Sequence, residues 1–511
     1  HPRRVMTAFA SRLGNGPEVE LVRILGLFDR PVDEGTLRAL RAEPAITGLT
    51  DHLHRLSEVA WLGLIEKLRR LKLIAPAGHH GITDLDAHPL VREHFGQELK
   101  RHHAAAWREG NNRIFEHLKE TSKRFPNTIE EMAPLYAAMA HGCEAGKYRE
   151  ALNAVYLRRV HRDNEYFSLN NLGAFGADLA ALSGFFDSPW QQPVSELSEA
   201  DKGFLLSIVG FILRALGRSN ESTEPMQAGL EIHTSQKQWK KAAAASNNLS
   251  EAFLTIGDLS QARNWAQQSL VFAEQSGDSV QSMLVMTTLA NILHQVGRPL
   301  DSERVFVNAE KTQNSLGPRL PILYSVQGFQ YCDLLLAQGK YQEVQSRAKQ
   351  TLVLATTLGW LLDIALDCLS LGRAYLLEST SNVHEATEYL KRAVDGLRQA
   401  GTMHELPRGL LARAELFRLK SEFEESQGDL DEAMRVATRG GMGLHQVDCH
   451  LEYARLDLTQ GETENNPAIK HVRLEKARKH LIAAKGMVKR MGYHRRDKDV
   501  LEIERQLAEF G

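Results

Sequence analysis

Between Gly203 and Ala355 the chain repeats one pattern of apolar and polar positions four times. Glycines in Leu216-Gly217-Arg218, Ile256-Gly257-Asp258, Val296-Gly297-Arg298 and Gln338-Gly339-Lys340 follow one another at intervals of 40, 40 and 42 residues. Eight and four positions before each stands an apolar pair: Val209/Leu213, Leu249/Phe253, Leu289/Leu293 and Tyr331/Leu335. That is helical spacing, so each glycine is predicted to end a helix. Small or apolar residues recur about five, nine and twelve places beyond the glycine, as in Ala262, Ala266 and Ser269. They predict a second helix whose small-residue face lets the first approach closely. The predicted unit is a helical hairpin, repeated.

The N-terminal region follows another pattern. Leu21 to Phe28 reads as a short helix stopped by Asp29-Arg30-Pro31, Asp33 caps a second helix through Leu40, and a connector runs from Glu43 to Thr50. Ser57 starts a third helix with apolar positions Trp61, Leu64, Ile65, Leu68 and Leu71. A strand near Leu73-Ile74-Ala75, a turn at Ala77-Gly78-His79-His80-Gly81 and a strand over Ile82 to Leu85 are then expected. Three helices and a two-stranded ribbon are the outline of a winged helix.

Helices are predicted over Trp107–Leu118 and Ile129–Ala140, and the glycine turn recurs in Cys143-Glu144-Ala145-Gly146-Lys147, opening a divergent repeat. Ser198-Glu199-Ala200-Asp201 has the form of a capping box that restarts the array. Weaker copies occupy Leu411–Met434 and Leu451–Ala484, the latter with an insertion around Glu462 to Pro467. A charged last helix, Asp497 to Phe510, suits the polar cap that a solenoid needs. The expected organisation is a winged-helix-like domain over 1–100, a helical linker with divergent repeats over 101–200, a repeat solenoid over 201–494 and a capping helix over 495–511. The expected fold class is mainly all-α.

Composition narrows the function. A chain of 511 residues exceeds one ordinary core. With 62 basic and 64 acidic side chains the net charge is -2, so no global field recruits nucleic acid or an anionic membrane. Cys143, Cys332, Cys368 and Cys449 lie far apart without metal-type spacing, which fits reduced thiols in a cytoplasmic protein. No apolar run reaches membrane-spanning length, and the opening at His1 rather than Met suggests a piece of something longer.

Two stretches carry a family resemblance. Leu371-Gly372-Arg373-Ala374-Tyr375, followed by Ala386, Leu390 and Ala393, matches the tetratricopeptide-repeat consensus. Asp86-Ala87-His88-Pro89-Leu90-Val91-Arg92-Glu93-His94-Phe95 resembles the end of the winged-helix subdomain in signal-transduction ATPases of the NACHT and NB-ARC type, the STAND class. Ala87 and Pro89 depart from the Met-His-Asp-like signature there. Met491-Gly492-Tyr493-His494-Arg495-Arg496-Asp497 also looks characteristic of bacterial members. The resemblance implies a winged helix followed by a right-handed solenoid of seven or eight tetratricopeptide-like hairpins. It further implies that His88 reaches the phosphates of ADP held by an upstream ATPase module in cis; a histidine that merely caps its helix is the competing reading. No GxxxxGK[ST] occurs, so the chain itself is expected to bind no ADP or ATP, to need no cofactor and to be no enzyme.

Counting from the core positions of the first helices places Asn247, Glu251, Asn291, His294, Asp333, Arg373, Arg408 and Glu415 in a ligand groove. Both signs of charge there suit a protein or peptide better than a nucleic-acid backbone, which favours Lys and Arg throughout. Ordinary solvated helix positions explain any one of these residues as well. The basic cluster Lys67, Arg69, Arg70 and Lys72 admits DNA contact by the third helix, but its interleaved leucines favour a solvated face. His445, Cys449 and His450 are too few to indicate zinc, and the glycines of Leu172-Gly173-Ala174-Phe175-Gly176 and of Arg439-Gly440-Gly441-Met442-Gly443 read as packing and helix-capping positions rather than anion cradles. The leading expectation is a ligand-sensing regulatory region, with oligomerisation on activation and no membrane partner. The alternatives are a free-standing repeat scaffold and a winged-helix DNA-binding regulator.

Overall fold

The computed structural model describes residues 13–76, 84–315 and 321–510, and it is helical throughout apart from short extended segments. The chain divides into two compact units, His1–Tyr166 and Phe167–Gly511. The limit drawn at residue 100 therefore falls inside the first unit.

In that unit α1 (Pro17–Leu25), α2 (Glu34–Arg41), α3 (Glu58–Arg70), α4 (Pro89–His102) and α5 (Ala104–Thr121) share one core running from Val19 to Ile114. α6 (Ile129–Glu144) follows, then a turn at Tyr148–Glu150 that continues as a π-helix over Ala151–Val160. Local chemistry sets the helix starts. Asp33 accepts the Thr36 N–H, and Ser57 accepts that of Ala60. Pro89 fills the first position of α4 behind His88, whose Nδ1 accepts the Leu90 N–H. Gly26 and Gly96 let α1 and α4 pass backbone against backbone.

The expected ribbon is reduced to single contacts. Val32 bridges Leu85, and the Ala75 N–H donates to the Asp86 carbonyl at 2.8 Å. The turn at 77–81 and the first half of the following strand lie outside the described residues.

The second unit opens with the short helices Phe167–Asn170 and Phe175–Leu182 and a small β1–β2 pair (Phe186–Ser188, Gln192–Pro193). Seven hairpins follow. They are α7–α8 (Glu199–Ala215, Ser219–Ser235), α9–α10 (Trp239–Ile256, Leu259–Ser276), α11–α12 (Ser279–Gln295, Pro299–Ser315) and α13–α14 (Ser325–Ala337, Tyr341–Leu358). The others are α15–α16 (Leu361–Glu378, Val383–Gln399), α17–α18 (Leu406–Leu419, Phe423–Gly440) and α19–α20 (Gly443–Thr463, Pro467–Met491), and α21 (Asp497–Ala508) ends the array. No helix of the described residues is long and apolar enough to cross a membrane. All four cysteines are buried and unpaired.

The repeated glycine works as the pattern predicts. After each one, a backbone N–H reaches back to the apolar residue four places before the glycine: Arg218 to Leu213, Asp258 to Phe253, Arg298 to Leu293 and Lys340 to Leu335, at 2.9 to 3.0 Å. That closure needs a left-handed residue, and Gly257 takes φ +95°. Small residues bring the paired helices together: Ala262, Ala266 and Ser269 are buried, and the Ser250 hydroxyl reaches the Ala262 carbonyl at 2.7 Å. Ser302 to Ala290 and Ser426 to Ala414 make the converse bond, from the second helix back to the first, across the same twelve residues.

Three of these turns also form a seam between successive windings of the array. A Cβ at Gly217 would sit 2.9 Å from Met442 Cε, one at Gly257 2.9 Å from Met491 Sδ, and one at Gly297 2.9 Å from His494 Cβ. The seam extends to the start of the unit, where Asn171 Nδ2 donates to the Leu358 carbonyl at 2.7 Å and Gly173 lies against the backbone of Gln399 and Ala400. Gly257→Ala combines an unfavourable φ with a clash at Met491. It is expected to cost about 1–3 kcal/mol, read as a lower urea midpoint, while Gly277→Ala, with open space around it, costs only the φ penalty. Equal losses for the two would remove the seam from the account.

Candidate functional site: the inner cavity of the repeat array

The first helices of the second to seventh hairpins line a cavity of about 590 Å³. Leu254 of α9, Gln295 of α11, Asp333 of α13, Arg373 of α15, Glu415 of α17 and Glu452 of α19 all reach it. The opposite wall is the C-terminal segment, from Tyr493 through Arg495 and Arg496 to Gln506. α21 is thus a wall as well as a polar end: it buries Val500, Ile503 and Leu507 and turns Asp499, Glu502 and Gln506 to the cavity.

Ion pairs hold this wall in place. Arg495 donates to Asp333 Oδ2 at 2.5 Å and Oδ1 at 3.0 Å, and to Gln295 Oε1 at 3.1 Å. Arg373 donates to Asp333 Oδ1 at 2.7 Å. Burial works against the Asp333 charge, yet Arg495 and Arg373 together hold the carboxyl well below the ordinary range. Arg496 donates to Asp448 at 2.7 Å, Arg418 to Glu452 at 2.6 Å, and Arg455 joins Glu452 to Asp499. Arg408 pairs with Glu405 at 2.6 Å. Burial pushes His445 down to about 4 and His294 to about 3, so both rings are neutral at pH 7.

Glu415 differs from these acids. It faces the cavity without a hydrogen-bond or ion-pair partner among the described residues, and burial followed by the nearby Glu452 carboxylate raises its pKa. Seven Lys or Arg and seven Asp or Glu line the cavity, so the wall has no net sign. Such a surface meets a zwitterionic or mixed-charge ligand better than a polyanion. No group of three His, Cys, Asp or Glu placed to hold a metal occurs among the described residues.

Of the residues expected in the groove, Asp333, Arg373, Arg408 and Glu415 line the cavity. The other four lie elsewhere. Glu251 is tied to Arg214 of the preceding hairpin at 2.9 Å, and Asn247 is half-buried on α9 and does not line the cavity. Asn291, accepting from Gln295 at 2.8 Å, and His294, 3.9 Å from Asp333, are closed over beneath the Arg495 contact. Their helical phase was legible, but the segment that covers them comes from some 200 residues away.

Sequence reasoning missed the longest wall. In α19, His445, Asp448, Glu452, Arg455 and Thr459 recur at helical intervals on one face, and all line the cavity. That polar stripe at helical spacing was the available signal. His88, by contrast, is an exposed helix cap.

No family model matches the chain, and no curated protein is similar to it. Among solved structures, a signal-transduction ATPase with numerous domains carrying a tetratricopeptide-repeat sensor, from Pyrococcus horikoshii, aligns over 94% of this chain and 64% of its own, with 14% identity and a TM-score of 0.44. The chain thus spans less than two thirds of that protein. A Rap protein complexed with competence and sporulation factor aligns over 81% of this chain and 96% of its own, with 10% identity and a TM-score of 0.31.

Proposed function

We propose that this chain is a ligand-sensing regulatory region whose helical repeats receive a protein or peptide segment in the inner cavity. The observation that carries the reading is the wall itself: fourteen charged side chains of balanced sign around about 590 Å³, with Glu415 half-buried and without a partner among the described residues, where the other two unpaired acids, Glu462 and Glu502, are exposed. Buried charges cost free energy unless paired, and a half-buried carboxylate without a partner is a place where a ligand gains specificity.

The first unit we read as a winged helix that relays occupancy to an upstream nucleotide-binding module. Three helices with Val32 bridging Leu85 and Ala75 bonded to Asp86 support that topology. In this reading His88 keeps Nδ1 on the helix cap and offers Nε2 to a phosphate of ADP bound by that module. The DNA-binding alternative is weakened by its own cluster, since Lys67 pairs with Glu18 and Arg69 with Glu66 at 2.8 Å.

A displayed random-peptide library selected on the full chain tests the cavity. Glu415→Gln removes the carboxylate without breaking an ion pair or adding a like charge beside Arg373, Arg418 and Arg455, so selected peptides should bind about 10-fold more weakly while the melting temperature holds. Selected peptides that bind the variant equally well would place recognition elsewhere.

A further inference from the structure

The chain carries a net charge of only -2, but α20 concentrates eight Lys and Arg against a single carboxylate, Glu475. At 25 residues it is the longest helix of the array, about 37 Å at 1.5 Å per residue. One face is committed to the fold: Leu474, Ala477, Leu481, Ala484 and Val488 are buried. The opposite face is open. Lys476, Lys479, Lys489 and Arg490 lie on it, exposed and outside ion-pair distance of any carboxylate among the described residues, and space around Gly486 is empty.

Aliphatic side chains interleave with these cations. Ile469 is 47%, Val472 52% and Ile482 71% exposed. A solvated helix face has no use for three β-branched aliphatics, and a phosphodiester backbone has none either. An anionic bilayer uses both: the aliphatics enter the acyl boundary while the lysine stems lie along it and keep their ammonium groups at the headgroups. A single long helical ridge that carries both kinds of residue suits a plane of lipid better than a cleft-shaped protein partner.

We propose that the outward face of α20 is a docking surface for an anionic lipid bilayer, with Lys476, Lys479, Lys489 and Arg490 meeting headgroup phosphates and Ile469, Val472 and Ile482 entering the interface. The site is separate from the inner cavity and does not rest on the reading proposed for it. It takes its charge from one helix, which is why whole-chain composition gave no sign of a membrane partner.

The test is co-sedimentation of the full chain with phosphatidylglycerol-containing vesicles and with pure phosphatidylcholine vesicles, beside a heparin column run. Binding is expected only to the anionic vesicles, weakening as salt rises. Lys476→Ala/Lys479→Ala should lower the partition about 25-fold, at roughly 5-fold per charge, with an unchanged melting temperature because neither lysine holds a partner. Ile482→Ser should weaken vesicle binding several-fold and leave heparin retention unaltered. The proposal is overturned if anionic vesicles fail to bind, if the double variant binds as well as the parent, or if Ile482→Ser has no effect on vesicles, which would make the face a polyanion or acidic-protein site.

Discussion

Asp333→Ala is expected to destabilise the repeat unit by about 3–5 kcal/mol, because it strands a buried guanidinium rather than simply deleting a contact. Asp333 is 3% exposed and holds Arg495 through both oxygens and Arg373 through one. Arg373 is half-buried and can turn toward the cavity, but Arg495 is left with Gln295 alone. The cost should fall on the C-terminal wall first, so limited proteolysis should release residues beyond Met491 earlier in the variant than in the parent. Adding Arg495→Ala removes the stranded charge and should recover part of the loss, giving a coupling of more than 1 kcal/mol in a double-mutant cycle read by urea unfolding. Additive costs would mean that Asp333 and Arg495 do not act as a pair. The pH signature has a definite sign: the folded pKa of Asp333 is depressed, so its contribution is complete above the unfolded value near 4 and is lost as the pH falls further.

What could be read from the sequence, and what could not, divides by range. Hairpins were legible because their determinants are local: a glycine at positive φ, a carbonyl five residues before the closing N–H, and a small-residue face. The caps at Asp33, Ser57 and Ser198 were legible for the same reason. The cavity was only half legible. Helical phase places Asp333, Arg373, Arg408 and Glu415 on the inner side, yet nothing local says that the seam at Gly217, Gly257 and Gly297 brings the C-terminal segment across Asn291 and His294. Tyr493-His494-Arg495-Arg496 stood out as a motif, but its partners Asp333 and Asp448 lie 162 and 48 residues away, beyond any periodicity. The boundary at Tyr166 was hidden similarly, since Ile114 joins a core whose other members begin at Val19.

Asp367→Asn should gain stability over the parent as the pH rises from 4 to 8, the buried histidines that act in the opposite sense being common to both proteins. Asp367 and Asp363 lie one helical turn apart on α15, both buried. Burial raises Asp363 to about 6; at Asp367 burial and then the neighbouring Asp363 carboxylate outweigh the bond from Thr351, raising it to about 8. The Thr351 hydroxyl donates to Asp367 Oδ1 at 2.7 Å, while buried Oδ2 has no hydrogen-bond partner among the described residues. Below pH 4 both folded and unfolded chains hold these protons, so pH has no leverage through them. Between the unfolded value near 4 and the folded values, the unfolded chain gives up protons that the folded chain keeps, and each group then costs up to about 1.4 kcal/mol per pH unit. From pH 6 to 8 Asp367 still holds its proton in the fold, so it contributes a loss on the order of 2–3 kcal/mol there. An asparagine retains the acceptor for Thr351 and fills the same volume without a proton to lose. Urea unfolding at pH 4, 6.5 and 8 should therefore give nearly matching curves at pH 4 and a variant more stable than the parent at pH 8. Parallel pH dependences in the two proteins would show that Asp367 is ionised in the fold and that its charge is neutralised by a group other than Thr351.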